Sequence, residues 1–163
     1  MNRKFSTSFV VRAGIVASLY TVLTVLTNAF GLASGVIQVR LSEALTILPV
    51  YTLCAVPGLF VGCLVSNLLT GCAMADVVFG SVATLIGAVF TRMLRKNVYL
   101  ASLPPVVSNA VIVPFVLRFV YGLEDAWWFM VVSVGAGEII SCCVLGILLS
   151  VGIKRYKLDK ILK

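Results

Sequence analysis

Gln38-Val-Arg-Leu-Ser-Glu-Ala-Leu-Thr-Ile-Leu-Pro49 sets Arg40, Ser42 and Glu43 at the mouth of a long apolar segment. A charge at the centre of a bilayer costs roughly 2.5–3.5 kcal/mol on insertion scales. Polar groups in such a place pair with one another or meet a polar ligand. The stretch therefore points to a solute site inside an integral membrane protein, a compact all-α bundle.

The rest of the chain fits that reading. Hydrophobic residues make up 61% of its 163 residues and charged residues 12%. Soluble domains carry roughly 25% charged residues, so an ordinary soluble fold is excluded. A helical span needs about 20 apolar residues, and six spans with short loops nearly exhaust the chain. The reading is thus one transmembrane domain, residues 1–163, with little left for a soluble catalytic domain. The spans run at about Ala13–Phe30, Leu41–Ala55, Pro57–Met74, Asp76–Thr91, Leu103–Tyr121 and Ala126–Ile153. Only Pro57 and Gly58 punctuate the second and third, so a kinked or re-entrant pair is an alternative there. A signal peptide is the weaker reading of the N-terminal part, because its apolar stretch exceeds the usual 7–15 residues or so.

Basic residues give an orientation. With six spans and a cytoplasmic N-terminus, Arg3, Lys4 and Arg12 lie inside in a segment 1–12. Arg92, Arg95 and Lys96 lie inside after the fourth span. Lys154, Arg155, Lys157, Lys160 and Lys163 lie inside in the tail 154–163. Of the thirteen basic residues, only Arg40 and Arg118 then remain towards the other face. The positive-inside rule asks for this bias, so the net charge of +7 reads as an orientation signal and not as a nucleic-acid patch. The acids fall the other way: Glu43, Asp76, Glu124 and Asp125 near outer span ends, and Glu138 deep in the sixth span.

Much chemistry is missing. The chain has no histidine, which removes His-based acid–base catalysis and His metal ligation. Cys54, Cys63, Cys72, Cys142 and Cys143 form no C-x-x-C pair and read as small buried apolar residues. There is no P-loop, so ATP-driven work would need another polypeptide. No cofactor is called for. No nucleophile–base pair or metal set stands out, and an enzyme is the least favoured class.

Two kinds of motif remain. Small residues at four-residue spacing occur as Ala13-x-x-x-Ala17, with Gly14 and Ser18 beside them, as Gly58-x-x-x-Gly62-x-x-x-Ser66 and as Ser133-x-x-x-Gly137-x-x-x-Ser141. Such faces let helix backbones approach. The later two suit packing within the bundle, and the first suits that or a second membrane protein equally. The other kind is polar. Arg40 and Glu43 are three apart and suit either a structural ion pair or solute binding. Asp76 begins a span and either complements its N-terminus or binds ligand. Glu138 suits a ligand-facing or buried network role. Asn67 and Asn109 suit interhelical hydrogen bonds. Trp127 and Trp128 suit an aromatic belt, or stacking on a flat heterocycle.

These motifs together resemble the queuosine-precursor transporters of the QueT type, substrate-binding S components of energy-coupling factor (ECF) transporters. The resemblance covers nearly the whole chain and is most specific over Gln38–Pro49, Pro57–Cys63 and Asp76–Leu85. Leu103–Asn109 and Gly137–Ile140 continue it. It implies six helices with both termini cytoplasmic, in the cell membrane, and a solute pocket open to the outside. It implies that the Ala13-x-x-x-Ala17 face docks on a transmembrane T component and that two cytoplasmic ATPases complete the importer. Cys142-Cys143 is expected to lie away from the pocket. The implied solute is a 7-deazaguanine such as 7-aminomethyl-7-deazaguanine. A carboxylate accepts two adjacent N–H donors at once, which makes Glu43, Asp76 and Glu138 candidates for the base edge. A second acid could pair with an aminomethyl cation. Asn67, Asn109, Ser42 or Gln38 could meet the carbonyl and ring nitrogen, and Arg40 would hold a carboxylate in place. The alternatives are an S component for another vitamin or nucleobase, a self-sufficient transporter or channel, and a scaffold without solute.

Overall fold

The structure is a computed structural model and describes residues 7–31, 39–120, 122 and 126–162. Gln38, Glu124 and Asp125, with Arg3, Lys4 and Lys163, lie outside the described residues. Among those described there are helices and no strands.

The helices are α1 (Thr7–Ala29), a 3₁₀ segment (Leu41–Val50), α2 (Ala55–Leu69), α3 (Met74–Met93), α4 (Val98–Ala101) and α5 (Leu103–Phe119). Then come α6 (Trp127–Glu138), a π segment (Ile139–Leu145), α7 (Gly146–Arg155) and α8 (Asp159–Leu162). Four stretches are long and apolar enough to cross a bilayer: Thr7–Ala29, Met74–Met93, Val98–Phe119 and Trp127–Arg155. Large apolar side chains stand exposed along them, among them Val11, Ile15, Leu19, Phe79, Phe90, Val111, Phe115, Val132 and Leu148. On a soluble protein so continuous an apolar surface would aggregate; in lipid it is solvated.

The second and third spans depart from expectation. The break falls at Tyr51–Cys54, not at Pro57-Gly58. Proline is tolerated in the first turn of a helix, and Pro57 takes that place in α2. Gly58 and Gly62 are instead contact points for α1. A Cβ on Gly58 would lie 2.7 Å from the Ala13 carbonyl oxygen, and one on Gly62 2.9 Å from that of Ala17. Small residues thus bring the α1 and α2 backbones together. The backbone face at Ala13 and Ala17 is thereby occupied within the chain. Gly14, one residue round the helix, has nothing within 4 Å of its Cβ position.

The 3₁₀ segment sits in the middle of the bundle, packed against α1, α2, α3, α7 and the π segment. Ser42, Glu43, Leu45, Thr46, Ile47, Leu48 and Pro49 are all buried in it. A 3₁₀ helix rises about 2.0 Å per residue, so its ten residues cover about 20 Å where an α-helix would cover about 15 Å. That lets a short segment pass most of the way through the bundle. Its far end is held by Arg92, whose Nη1 donates to the carbonyls of Pro49 at 2.9 Å and Val50 at 3.2 Å. These are carbonyls a helix end leaves unsatisfied.

The basic residues gather at this end. Arg12 and Arg92 line one cavity of about 420 Å³ with Tyr51 and Thr52. Arg92, Arg95, Lys96 and Lys154 line a neighbouring one of about 450 Å³. Trp127, Phe115, Arg118 and Phe119 line a cavity elsewhere, where α5 ends and α6 begins.

Candidate functional site

Glu43 lies in the first turn of the 3₁₀ segment and is 1% exposed. The Tyr20 hydroxyl, from α1, donates to its Oε1. The other oxygen, Oε2, is buried and has no hydrogen-bond partner among the described residues; nor has Ser42 Oγ beside it. Leaving a buried polar atom unpaired costs about 1–3 kcal/mol, more if it is charged, so such atoms mark places where something else binds. The segment is also held locally by Thr46 Oγ1, which donates to the Glu43 carbonyl at 2.6 Å.

A second carboxylate comes from the opposite side. Glu138 is the last residue of α6 and is buried. The Cys142 thiol donates to its Oε2 at 3.2 Å, and the Asn109 side chain, from α5, also hydrogen-bonds to it. Carboxylate oxygens of Glu43 and Glu138 and the Cys142 sulfur all lie within 4.8 Å of one another. Thr46 Oγ1 is 3.5 Å from the same sulfur. Two like charges this close repel by roughly 3 kcal/mol at an effective dielectric constant of about 20. Arg40, half-buried, is within electrostatic reach of Glu43, Glu138 and Tyr20. Its backbone N–H donates to Ser141 Oγ at 3.1 Å, which ties the start of the 3₁₀ segment to the π segment.

The π segment follows Glu138 directly. Such widened turns often mark functional positions within α-helices. Here Glu138 and Cys142, four apart, meet each other while Ser141 Oγ donates to the Gly137 carbonyl at 2.8 Å.

A further set of polar side chains extends from Tyr20. Cys63, on α2, is in hydrogen-bonding contact with Tyr20 and accepts from Thr84 Oγ1 at 3.4 Å. Asn67 Nδ2 donates to the same sulfur at 3.6 Å. Asn67 and Asp76 converge on Gly80: a Cβ there would lie 3.3 Å from Asn67 Nδ2 and 3.6 Å from an Asp76 carboxylate oxygen.

The structure therefore brings Glu43, Glu138, Arg40 and Asn109 together, joins Asn67 to Tyr20 through Cys63, and sets Asp76 beside Gly80. Ser42 is buried beside Glu43. Trp127 is placed apart from the carboxylates. Its ring packs edge-on against Phe115 with centroids 4.3 Å apart, and it precedes Glu138 by eleven residues, about 16 Å along a helix. Three contributors carry no sequence signal of function. Tyr20 looks like any aromatic in an apolar span, and Cys63 and Cys142 look like small core residues. Cys142 corrects the expectation that the cysteine pair lies away from the polar centre, because the π segment turns it onto Glu138.

A family model, the QueT transporter, matches residues 10–155. The chain belongs to the QueT transporter family. The match runs from within α1 to the end of α7 and includes the whole polar centre. No curated protein and no solved structure gives a significant match. As a QueT-family chain with four lipid-length apolar helices, the protein is a membrane transport protein, and family membership speaks for a non-catalytic role.

Proposed function

We propose that the chain is the substrate-binding S component of an ECF-type importer in the cell membrane, and that it captures a 7-deazaguanine queuosine precursor from the outer face. The observation that carries this is the orphaned Oε2 of Glu43, buried beside Glu138 among six packed elements of a transport-family protein. A transporter must hold its solute away from water, and this is a buried polar group without a partner. Asn109, Asn67, Ser42 and Asp76 are the neighbouring groups for the rest of the heterocycle. Gln38 precedes the same segment in sequence.

Orientation follows from charge. Arg12, Arg92, Arg95, Lys96 and Lys154 share one end of the bundle, and the positive-inside rule makes that end cytoplasmic. With the 3₁₀ segment and α2 counted as spans, six crossings put both termini inside. The chain contains no P-loop, so ATP hydrolysis falls to two partner ATPases acting through a T component. The exposed face of α1 around Gly14 and Ser18, flanked by the half-exposed Ala13 and Ala17, is the docking surface of this reading.

The test is isothermal titration of the purified, detergent-solubilised chain with 7-aminomethyl-7-deazaguanine, with guanine as control. Selective binding is expected. Absence of binding by folded protein would overturn the solute assignment. Net uptake into liposomes by the chain alone would overturn the S-component assignment.

A further inference from the structure

Arg92 stands between two cavities at the basic end of the bundle. Its Nη1 donates to the carbonyls of Pro49 and Val50, while Nε and Nη2 have no hydrogen-bond partner among the described residues. Arg12 joins it around the first cavity, and Arg95, Lys96 and Lys154 join it around the second. Arg95 is also within electrostatic reach of Arg92. Among the described residues, Asp159 on the second cavity is the one acid lining either. No salt bridge neutralises any of the five cations among those residues.

We infer that these cavities hold the phosphate headgroup of an anionic phospholipid, gripped by Arg12, Arg92 and Arg95, with its acyl chains along the apolar flank of α1. The inference goes beyond solute capture and stands without it. It needs only that this end of the bundle lies at the membrane surface.

Charge selects the headgroup. Like charges drawn around one space repel unless an anion sits among them. The planar guanidinium fork matches phosphate oxygens two at a time, and Arg92 keeps two donor nitrogens for that purpose. Basic pockets between spans on the cytoplasmic side hold anionic headgroups in this way. At about 420 and 450 Å³, both cavities fall within the ligand-cleft range of about 300–1,000 Å³. The walls select a lipid over a soluble phosphate. Phe9 and Leu53 line the first cavity beside Arg12 and Arg92. Val10 and Val11, adjoining Arg12, are 59% and 55% exposed, and Met93 and Leu94, between Arg92 and Arg95, are exposed too. Cationic and lipid-facing apolar surface thus meet within one turn of α1. A free phosphate uses only the first, whereas an anionic amphiphile uses both.

The experiment titrates the full chain in detergent with phosphatidylglycerol and with phosphatidylcholine of the same acyl chains, and follows the bound lipid by native mass spectrometry. Saturable binding of phosphatidylglycerol, at least about tenfold tighter than phosphatidylcholine, is expected. The preference should fall towards unity in the double variant Arg12→Gln/Arg95→Gln, which spares the hold of Arg92 on the 3₁₀ segment. It should persist in Arg155→Gln/Lys160→Gln, which removes the same charge from residues lining neither cavity. Equal affinity for the two lipids in the wild-type chain would overturn the inference; that comparison needs no variant to fold. An equal loss in both double variants would also overturn it, reducing the effect to general surface charge. Glycerol 3-phosphate displacing phosphatidylglycerol at equal concentration would assign the cavities to a soluble phosphate ester instead. No lipid preference, with partner subunits lost from Arg12→Gln/Arg95→Gln, would assign them to an acidic protein segment.

Discussion

α1 runs 23 residues and buries three of them, Val16, Tyr20 and Thr27. The 3₁₀ segment runs ten and buries seven. One element presents valine, isoleucine and leucine outward along most of its length. The other is surrounded on all sides and carries a glutamate and a serine with unpaired oxygens. Hydrophobicity alone does not separate them, since both are apolar stretches of one membrane chain. Neighbours do. α1 needs a partner only on the strip facing α2, which lipid cannot replace because backbones must touch there. The 3₁₀ segment can hold a charge only because α1, α2, α3, α7 and the π segment close around it. Tyr20 links the two, rooted in α1 and bonded to Glu43.

The largest effect should come from separating the two elements. In Gly62→Leu the new side chain meets Tyr20 Cβ at 2.8 Å and the Ala17 carbonyl oxygen at 2.9 Å from its Cβ alone. Backbone cannot yield cheaply to such overpacking. Loss of monodisperse, folded protein on size-exclusion chromatography in detergent is expected. A stable, solute-binding Gly62→Leu chain would show that α1 does not close on α2 as described.

Next is the 3₁₀ segment's own charge. Glu43→Gln keeps the shape and removes one carboxylate. Binding of 7-aminomethyl-7-deazaguanine should weaken roughly 10–100-fold, since hydrogen bonds to charged groups contribute about 1.5–3 kcal/mol. The melting temperature should change little, because the repulsion with Glu138 is relieved at the same time. Unchanged affinity would remove Glu43 from the site.

Tyr20→Phe cuts the link and leaves both elements in place. Glu43 then loses the donor to Oε1. A loss of about tenfold in affinity is expected with a drop of a few degrees in melting temperature, from one buried hydrogen bond of about 1–2 kcal/mol. An effect on stability without one on affinity would make Tyr20 purely structural.

Smallest for the isolated chain is Gly14→Leu, on the open face of α1, where nothing lies within 4 Å. Stability and solute affinity should stay as they are. Co-purification with the T component and ATPases should be lost. Retention of the full complex would move the docking face elsewhere.

The sequence carried the all-helical membrane class, because 61% hydrophobic residues in lipid-length runs leave few alternatives. It also carried Glu43 and Glu138, because a charge deep in such a run demands a reason. It did not carry helix type. Leu41–Val50 has no local mark of 3₁₀ geometry, which tertiary packing on every side imposes. It misplaced the break before α2, since Pro57 terminates nothing when it sits in a first turn. Small-residue spacing revealed a close contact for α1 but not its rotation. Ala13, Gly14, Ala17 and Ser18 are adjacent in sequence, and only the meeting with Gly58 and Gly62 decides which pair turns inward. Tyr20, Cys63 and Cys142 were silent because each is as common in an inert core as in a polar centre.

The most direct measurement is a structure of the full chain with 7-aminomethyl-7-deazaguanine bound. The account places the solute against Glu43 and Glu138, with Glu43 Oε2 accepting a hydrogen bond from it. Solute seated instead in the cavities lined by Arg12, Arg92 and Lys154, with Glu43 Oε2 untouched, would contradict it.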